Sequence, residues 1–329
     1  MANKSLFAAF VAVLAFCCGA ASAQEAQGDE DRILKALEAA SKDPRAAFLE
    51  LDHLKGTFDV SNAPLLKQAL LAIAKAYPLE AMDLFIKFEP TLALEDDAAF
   101  TVKMAEVFEA SGLDLKAMEL YELGYRGGAN GALVPLVRLL ETYGNWDRIF
   151  SLEQDISAYG KEKGQRELFG SLGRAYLERG DPREAFPEFL KAGPALENYL
   201  NRGIALMELG HPDAADDSFS LALDMALRGN NPEGIRRAIL LKTQNLERAK
   251  RYKQAASHYG LFVEKFPKDP LAEWVKMRRG IALLETGQVE QASSLFSALA
   301  KSKDKRIAVV ARALLGFADI ALKNLQGIY

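Results

Sequence analysis

One pattern of large and small residues returns four times in the second half of this 329-residue chain. Its clearest copy runs Phe169, Leu172, Gly173, Tyr176, Gly180, Ala185, Phe189, Ala192. The next runs Tyr199, Gly203, Leu206, Gly210, Ala215, Phe219, Ala222. A third reads Thr243, Leu246, Ala255, Tyr259, Phe262, Pro267, and a fourth Gly280, Leu283, Gly287, Ala292, Phe296, Leu299. The steps between copies are 30, 40 and 37 residues. A chain that repeats on this scale folds as an array, because one small unit cannot bury its apolar face alone and neighbours must stack. The small residues Gly173, Gly203, Gly280, Ala185, Ala215, Ala255 and Ala292 predict close approach of two helices. The rings of Phe189, Phe219, Tyr259 and Phe296 are expected to fill the space between successive units.

The turns fit helix pairs. Gly180-Asp181-Pro182-Arg183-Glu184 offers Asp181 as N-cap, Pro182 at the first helical position and Glu184 at the third. Gly210-His211-Pro212-Asp213 repeats that layout one unit later. Pro187 lies past the first turn of its helix and is expected to kink or shorten it.

Together these residues resemble the tetratricopeptide repeat family, in which a large residue is followed by Leu-Gly, Tyr, Gly, Ala, Phe, Ala and often a final Pro. The resemblance implies an all-α fold: a right-handed superhelical solenoid of antiparallel helix pairs. Upstream the pattern is weaker: Ala105, Phe108, Gly112, Ala117 and Tyr121 make one unit, Ala69, Ala81, Phe85 and Phe88 another, and Val137, Leu140, Gly144 and Ile149 a poorer one. The expected organisation is a signal peptide over 1–23, an acidic segment with capping helices over 24–60, degenerate repeats over 61–160, clearer repeats over 161–302, and a capping helix over 303–329. The array reads as continuous, with a bend expected near Gly124 to Pro135.

The first 23 residues are of a different kind. Lys4, the apolar run Leu6 to Phe16, and Ala21-Ser22-Ala23 form the three parts of a secretory signal with a cleavage site after Ala23. The run is shorter than the ~20 residues of a membrane span. Export is therefore expected, to a bacterial periplasm given this fold. Cys17 is preceded by the bulky Phe16, which argues against a lipid anchor. Both cysteines, Cys17 and Cys18, fall inside the signal, so the mature chain is expected to use neither disulfides nor thiolate chemistry.

Composition excludes little else, but charge is informative. The formal net charge is −4, far from the basic excess of a nucleic-acid binder. His53, His211 and His258 are scattered, with no HExxH and no metal-ligand spacing. The glycine-rich stretch Gly124 to Gly131 lacks the Gly-Lys-Ser/Thr ending of a phosphate loop and reads as a connection between units. The acidic runs Glu95-Asp96-Asp97 and Asp216-Asp217 read as helix-start or solvated charges. No G-x-S-x-G elbow occurs. No catalytic residue, cofactor or metal is expected, and the chain is read as a non-enzymatic scaffold. The basic residues Arg236, Arg237, Lys242, Arg248, Lys250, Arg251 and Lys253 are a patch for an acidic partner or anionic lipid, or one charged face of a helix pair.

In the family resembled, the first helix of each pair lines a concave groove that binds a protein or peptide. Transfer of register places Arg138, Glu141, Arg174, Glu178, Met207, Glu208, Gln244, Arg248, Trp274 and Met277 there, beside apolar positions such as Leu177, Leu200, Ile204 and Leu284. Gly170, Arg174, Leu200 and Ile204 depart from the Lys and Asn set with which some members clamp a C-terminal carboxylate. The turn Phe266-Pro267-Lys268-Asp269 resembles one common in periplasmic repeat proteins of the Tol–Pal envelope system, although the N-terminal heptads of that group are missing. Two other readings stand beside the scaffold: the helical body of a glycan-acting enzyme, and a homo-oligomer assembled through the terminal helix.

Overall fold

The computed structural model describes residues 31–40, 42–54 and 60–325. The expected export signal and both cysteines lie outside them. Among the described residues every regular element is helical.

The described chain divides into two compact units at Asn145. The first holds α1 (31–40), α2 (Pro44–Asp52), α3 (Ala63–Ala74), α4 (Pro78–Phe88), α5 (Ala98–Ala110), α6 (Asp114–Arg126) and α7 (Leu133–Thr142). The second holds α8 (Trp146–Ser151), α9 (Glu153–Lys163), α10 (Arg166–Arg179), α11 (Pro182–Ala192), α12 (Leu196–Glu208), α13 (Pro212–Arg228), α14 (Pro232–Arg248), α15 (Tyr252–Lys265), α16 (Ala272–Glu285), α17 (Val289–Leu299) and α18 (Lys305–Leu325). In the second unit each helix packs on the next from α9 to α18, and α12 also touches α14 as α16 touches α18. This is a solenoid of helix pairs: α10/α11, α12/α13, α14/α15 and α16/α17.

A spacing hidden by the irregular repeat length organises the pairs. An aromatic residue follows a small one by sixteen positions in Ala69/Phe85, Ala105/Tyr121, Gly173/Phe189, Gly203/Phe219, Thr243/Tyr259 and Gly280/Phe296. All twelve residues are buried or glycines of the helix interface. The reason is steric. A Cβ added at Gly203 would lie 2.5 Å from the Phe219 ring, one at Gly280 2.5 Å from Phe296, and one at Gly173 2.7 Å from Phe189. The rings therefore do more than fill space between units: Phe189, Phe219 and Phe296 are each seated on the glycine of their own pair, while Tyr259 and Phe296 share core clusters with Val275 and Ile307 of the following helices. Phe219 also reaches forward, sharing a core cluster with Ala238 of α14. The turn is equally constant in five of these six pairs, the Ala69/Phe85 pair being the exception. Seven residues after the small one, the chain takes a left-handed conformation at Gly112 (φ 78°), Gly180 (83°), Gly210 (77°), Lys250 (58°) and Gly287 (74°). Variation in repeat length comes from elsewhere, notably from α13 and α14 with 17 residues each.

Two local expectations change. Asp181 occupies the N-cap position of α11, but its carboxylate makes no cap hydrogen bond and instead accepts from Arg179. No capping box closes there. Helix α11 runs through Pro187 to Ala192, so the proline does not end it. Where Asp43 precedes Pro44, by contrast, the carboxylate caps α2 by accepting from the Arg45 and Ala46 amides, each at 3.1 Å. Gly124 belongs to helix α6, not to a loop, and a Cβ there would meet the Val102 side chain at 2.6 Å.

Candidate functional site

The first helices of the pairs in the second unit are α10, α12, α14 and α16. Position along each is conveniently counted from its small residue. Five residues on stand Glu178, Glu208, Arg248 and Glu285, all exposed. One residue on stand Arg174, Ile204, Gln244 and Ile281, of which Gln244 is exposed and the rest half-buried. Six residues before stand Glu167, Glu197, Arg237 and Trp274. These spacings share one helical face, and that face carries Arg174, Glu178, Glu208, Gln244, Arg248 and Trp274 from the expected groove set.

Met207 and Met277 do not belong to it. Met277 is 2 % exposed and Met207 8 %, each inside a core cluster. Their positions, four residues after and three before the small residue, point toward the adjoining helices. A thioether held in the core cannot grip a ligand, so both are corrected to packing residues.

Four residues after the small one, side-chain chemistry follows the aromatic. Where the aromatic is Phe, the partner position is apolar: Ile73 with Phe85, Leu177 with Phe189, Met207 with Phe219, Leu284 with Phe296. Where it is Tyr, the position is Glu: Glu109 with Tyr121 and Glu247 with Tyr259. The Tyr121 hydroxyl donates to Glu109 at 2.8 Å, and Arg138 completes the group with an ion pair to Glu109 at 2.5 Å. In the second unit Glu247 pairs with Arg278, and the Tyr259 hydroxyl hydrogen-bonds to both. Burial first, and Glu109 second, push the Tyr121 phenol upward. Tyr259 rises to about 12, again chiefly through burial. A buried phenol needs a partner, and the same Glu–Tyr–Arg group answers that need once in each unit. Arg138 is thus held in an ion pair with a buried-side carboxylate, although its outer side remains in solvent; Glu141 lies on the same helix and is half-buried.

Several charges of the face pair with each other. Glu197 and Arg237 meet at 2.6 Å, and Glu208 and Arg248 at 2.7 Å, each joining α12 to α14 across forty residues. Both pairs are exposed, so each contributes little to stability and is open to exchange with a ligand charge. Three further members of the basic patch are engaged in the same way: Arg236 with Asp269, Lys242 with Asp216, and Arg251 with Asp213. The patch is largely a set of links between helices. Asp269, from the Phe-Pro-Lys-Asp turn, accepts from Arg236 at 2.6 Å and from the Leu271 amide at 2.8 Å, which ties the start of α16 to α14. The Arg236 guanidinium holds the Asp269 carboxyl below its ordinary value.

Trp274 stands apart from these paired charges. It is 40 % exposed at a position that carries a charge in the other three pairs. Away from this face, Ser257, His258, Gly260, Leu261 and Arg279 line an open cleft of about 620 Å³. Burial, and then the charge of Lys242, hold the His258 imidazole below its ordinary pKa. Among the described residues no three His, Cys, Asp or Glu side chains gather as a metal site.

No protein-family profile matches the chain, and no curated protein matches it. Solved structures do. The C-terminal part of a TPR repeat-containing protein from Cytophaga hutchinsonii superposes with a TM-score of 0.53 at 15 % identity, covering 76 % of this chain and 98 % of its own. A tetratricopeptide repeat protein from Parabacteroides merdae gives 0.43 at 14 % identity, covering 86 % and 99 %. YrrB, described as a TPR protein with an unusual peptide-binding site, gives 0.38 at 16 % identity, covering 67 % and 93 %. Helix pairs seated small residue against aromatic define the class, an all-α repeat solenoid. More narrowly, the chain has the tetratricopeptide repeat fold.

Proposed function

We propose that this chain is a non-enzymatic scaffold, exported to the bacterial cell envelope, that binds a peptide segment of a partner protein on the first-helix face of α10, α12, α14 and α16. Trp274 carries the reading. An aromatic side chain left two-fifths in water, on a row otherwise charged, is an anchor for an incoming side chain. Further along the same face Gln244 offers amide hydrogen bonds, and the exposed Glu208–Arg248 pair offers charges that a peptide can exchange with. The apolar run and Ala21-Ser22-Ala23 support export. Association with the Tol–Pal system is a narrower form of the same proposal, supported by the Phe266 to Asp269 turn.

The test is crosslinking in native bacterial envelope followed by recovery of the tagged chain. Trp274→Ala combined with Gln244→Ala is expected to remove the partner while leaving the circular dichroism spectrum and melting temperature unchanged. Undiminished recovery from that variant would overturn the assignment of the face.

A further inference from the structure

The last helix has two apolar faces, and the pairs account for one. Ile307, Ala311 and Ala318 are buried against α17, with Leu314, Leu315, Ala321 and Leu322 packed beside them. On the other side Val309, Val310, Phe317 and Ile320 are exposed, Phe317 to 68 % and Ile320 to 59 %. Ala313 and Gly316 complete that stripe, and a Cβ at Gly316 would meet open space. At 100° per residue these six positions span about a third of the helix circumference. Basic residues edge the stripe. Lys305, Arg312 and Lys323, separated by seven and eleven residues, fall within about 20° of one line along the helix.

Charge identifies what covers this face. Residues 301–323 hold six basic and two acidic side chains in a chain of net charge −4. The basic residues of α14 mostly have acidic partners on neighbouring helices. Lys301, Lys303, Lys305, Arg312 and Lys323 have no ion pair among the described residues; Arg306 pairs with its neighbour Asp304. An antiparallel second copy would set one basic edge against the other. An anionic lipid surface instead meets the edge with opposite charge and the stripe with acyl chains. No described helix is long and apolar enough to cross a membrane, so the contact lies in the interface plane.

We infer that the outer face of α18 docks the protein on an anionic bilayer surface, with Phe317 and Ile320 entering the headgroup boundary and Lys305, Arg312 and Lys323 contacting phosphate headgroups. The site is separate from the first-helix face, and either assignment can fail without the other.

Vesicle co-sedimentation tests it, using the chain from Gln24 onward. That form retains every described residue and lacks the apolar run that would itself bind lipid. Binding is expected to phosphatidylcholine vesicles containing phosphatidylglycerol, more than about tenfold stronger than to phosphatidylcholine alone, and to weaken with added salt. Phe317→Ser with Ile320→Ser, and separately Lys305→Gln with Arg312→Gln and Lys323→Gln, are each expected to abolish it with the helical spectrum retained. Equal binding to neutral and anionic vesicles, or no binding to either, overturns the inference. So does light scattering that shows a dimer in solution dispersed by Phe317→Ser with Ile320→Ser, since the stripe is then a contact between copies.

Discussion

The neighbouring pairs α12/α13 and α14/α15 share one architecture and differ at its centre. In the first, Gly203 receives Phe219, Met207 lies four residues on, and the seat is wholly apolar. In the second, Thr243 replaces the glycine, with its hydroxyl donating to the Ile239 carbonyl at 2.6 Å. Tyr259 replaces the ring, and Glu247 replaces the methionine. The substitutions are mutually dependent. A phenol over Met207 would bury an unmatched hydroxyl, and Glu247 beneath a phenylalanine would bury a carboxylate beside nothing that donates except Arg278. Each pair is consistent within itself, and a hybrid is not. The polar centre also serves as a link, because Arg278 comes from the following pair.

The comparison can be broken most severely at the apolar centre. Phe219→Ala is expected to cost about 3–5 kcal/mol, since the ring is fully buried and the glycine opposite cannot fill the cavity. Urea unfolding followed by circular dichroism measures it, and a loss under 1 kcal/mol would mean that the ring is not the seat of the pair. The dependence within the polar centre is sharper. Glu247→Leu alone is expected to cost about 1–3 kcal/mol by stripping partners from Tyr259 and Arg278. Adding Tyr259→Phe, which rebuilds the apolar type, is expected to recover most of that loss. Additive costs in the same unfolding assay would show that the two positions are independent. The smallest effect lies in the turn. Lys250 takes a left-handed φ of 58° where four other pairs place glycine. Lys250→Gly is expected to stabilise by about 0.5–1 kcal/mol, visible as a rise in melting temperature.

Much of this was legible before any coordinates. The glycine–aromatic recurrence from Phe169 to Leu299 announced helix pairs, because close helix approach leaves room for a ring only where the facing residue is small. The sixteen-residue offset was equally present in the sequence and is a better guide than the 30- to 40-residue step between copies, since the turn inside a pair is short and fixed while helix lengths vary. The binding face was harder to read. Met207, Met277, Glu208 and Arg248 all lie on first helices, and the buried and exposed positions alternate within a few residues of one another, as with Met207 beside Glu208. Which of them faces solvent depends on where the neighbouring helix sits, and which charges are already paired depends on residues forty positions away.

The sequence alone therefore determined the repeating pair, its internal turn and the kind of aromatic at each centre, because those depend on contacts between residues close in the chain. Tertiary structure decided that Met277 is core and Trp274 surface, that the basic residues of α14 link helices, and that no other described helix packs over Phe317 and Ile320 on the outer face of α18. Those outcomes depend on how successive pairs stack, and stacking is set by the sum of many side-chain shapes, which local spacing does not reveal.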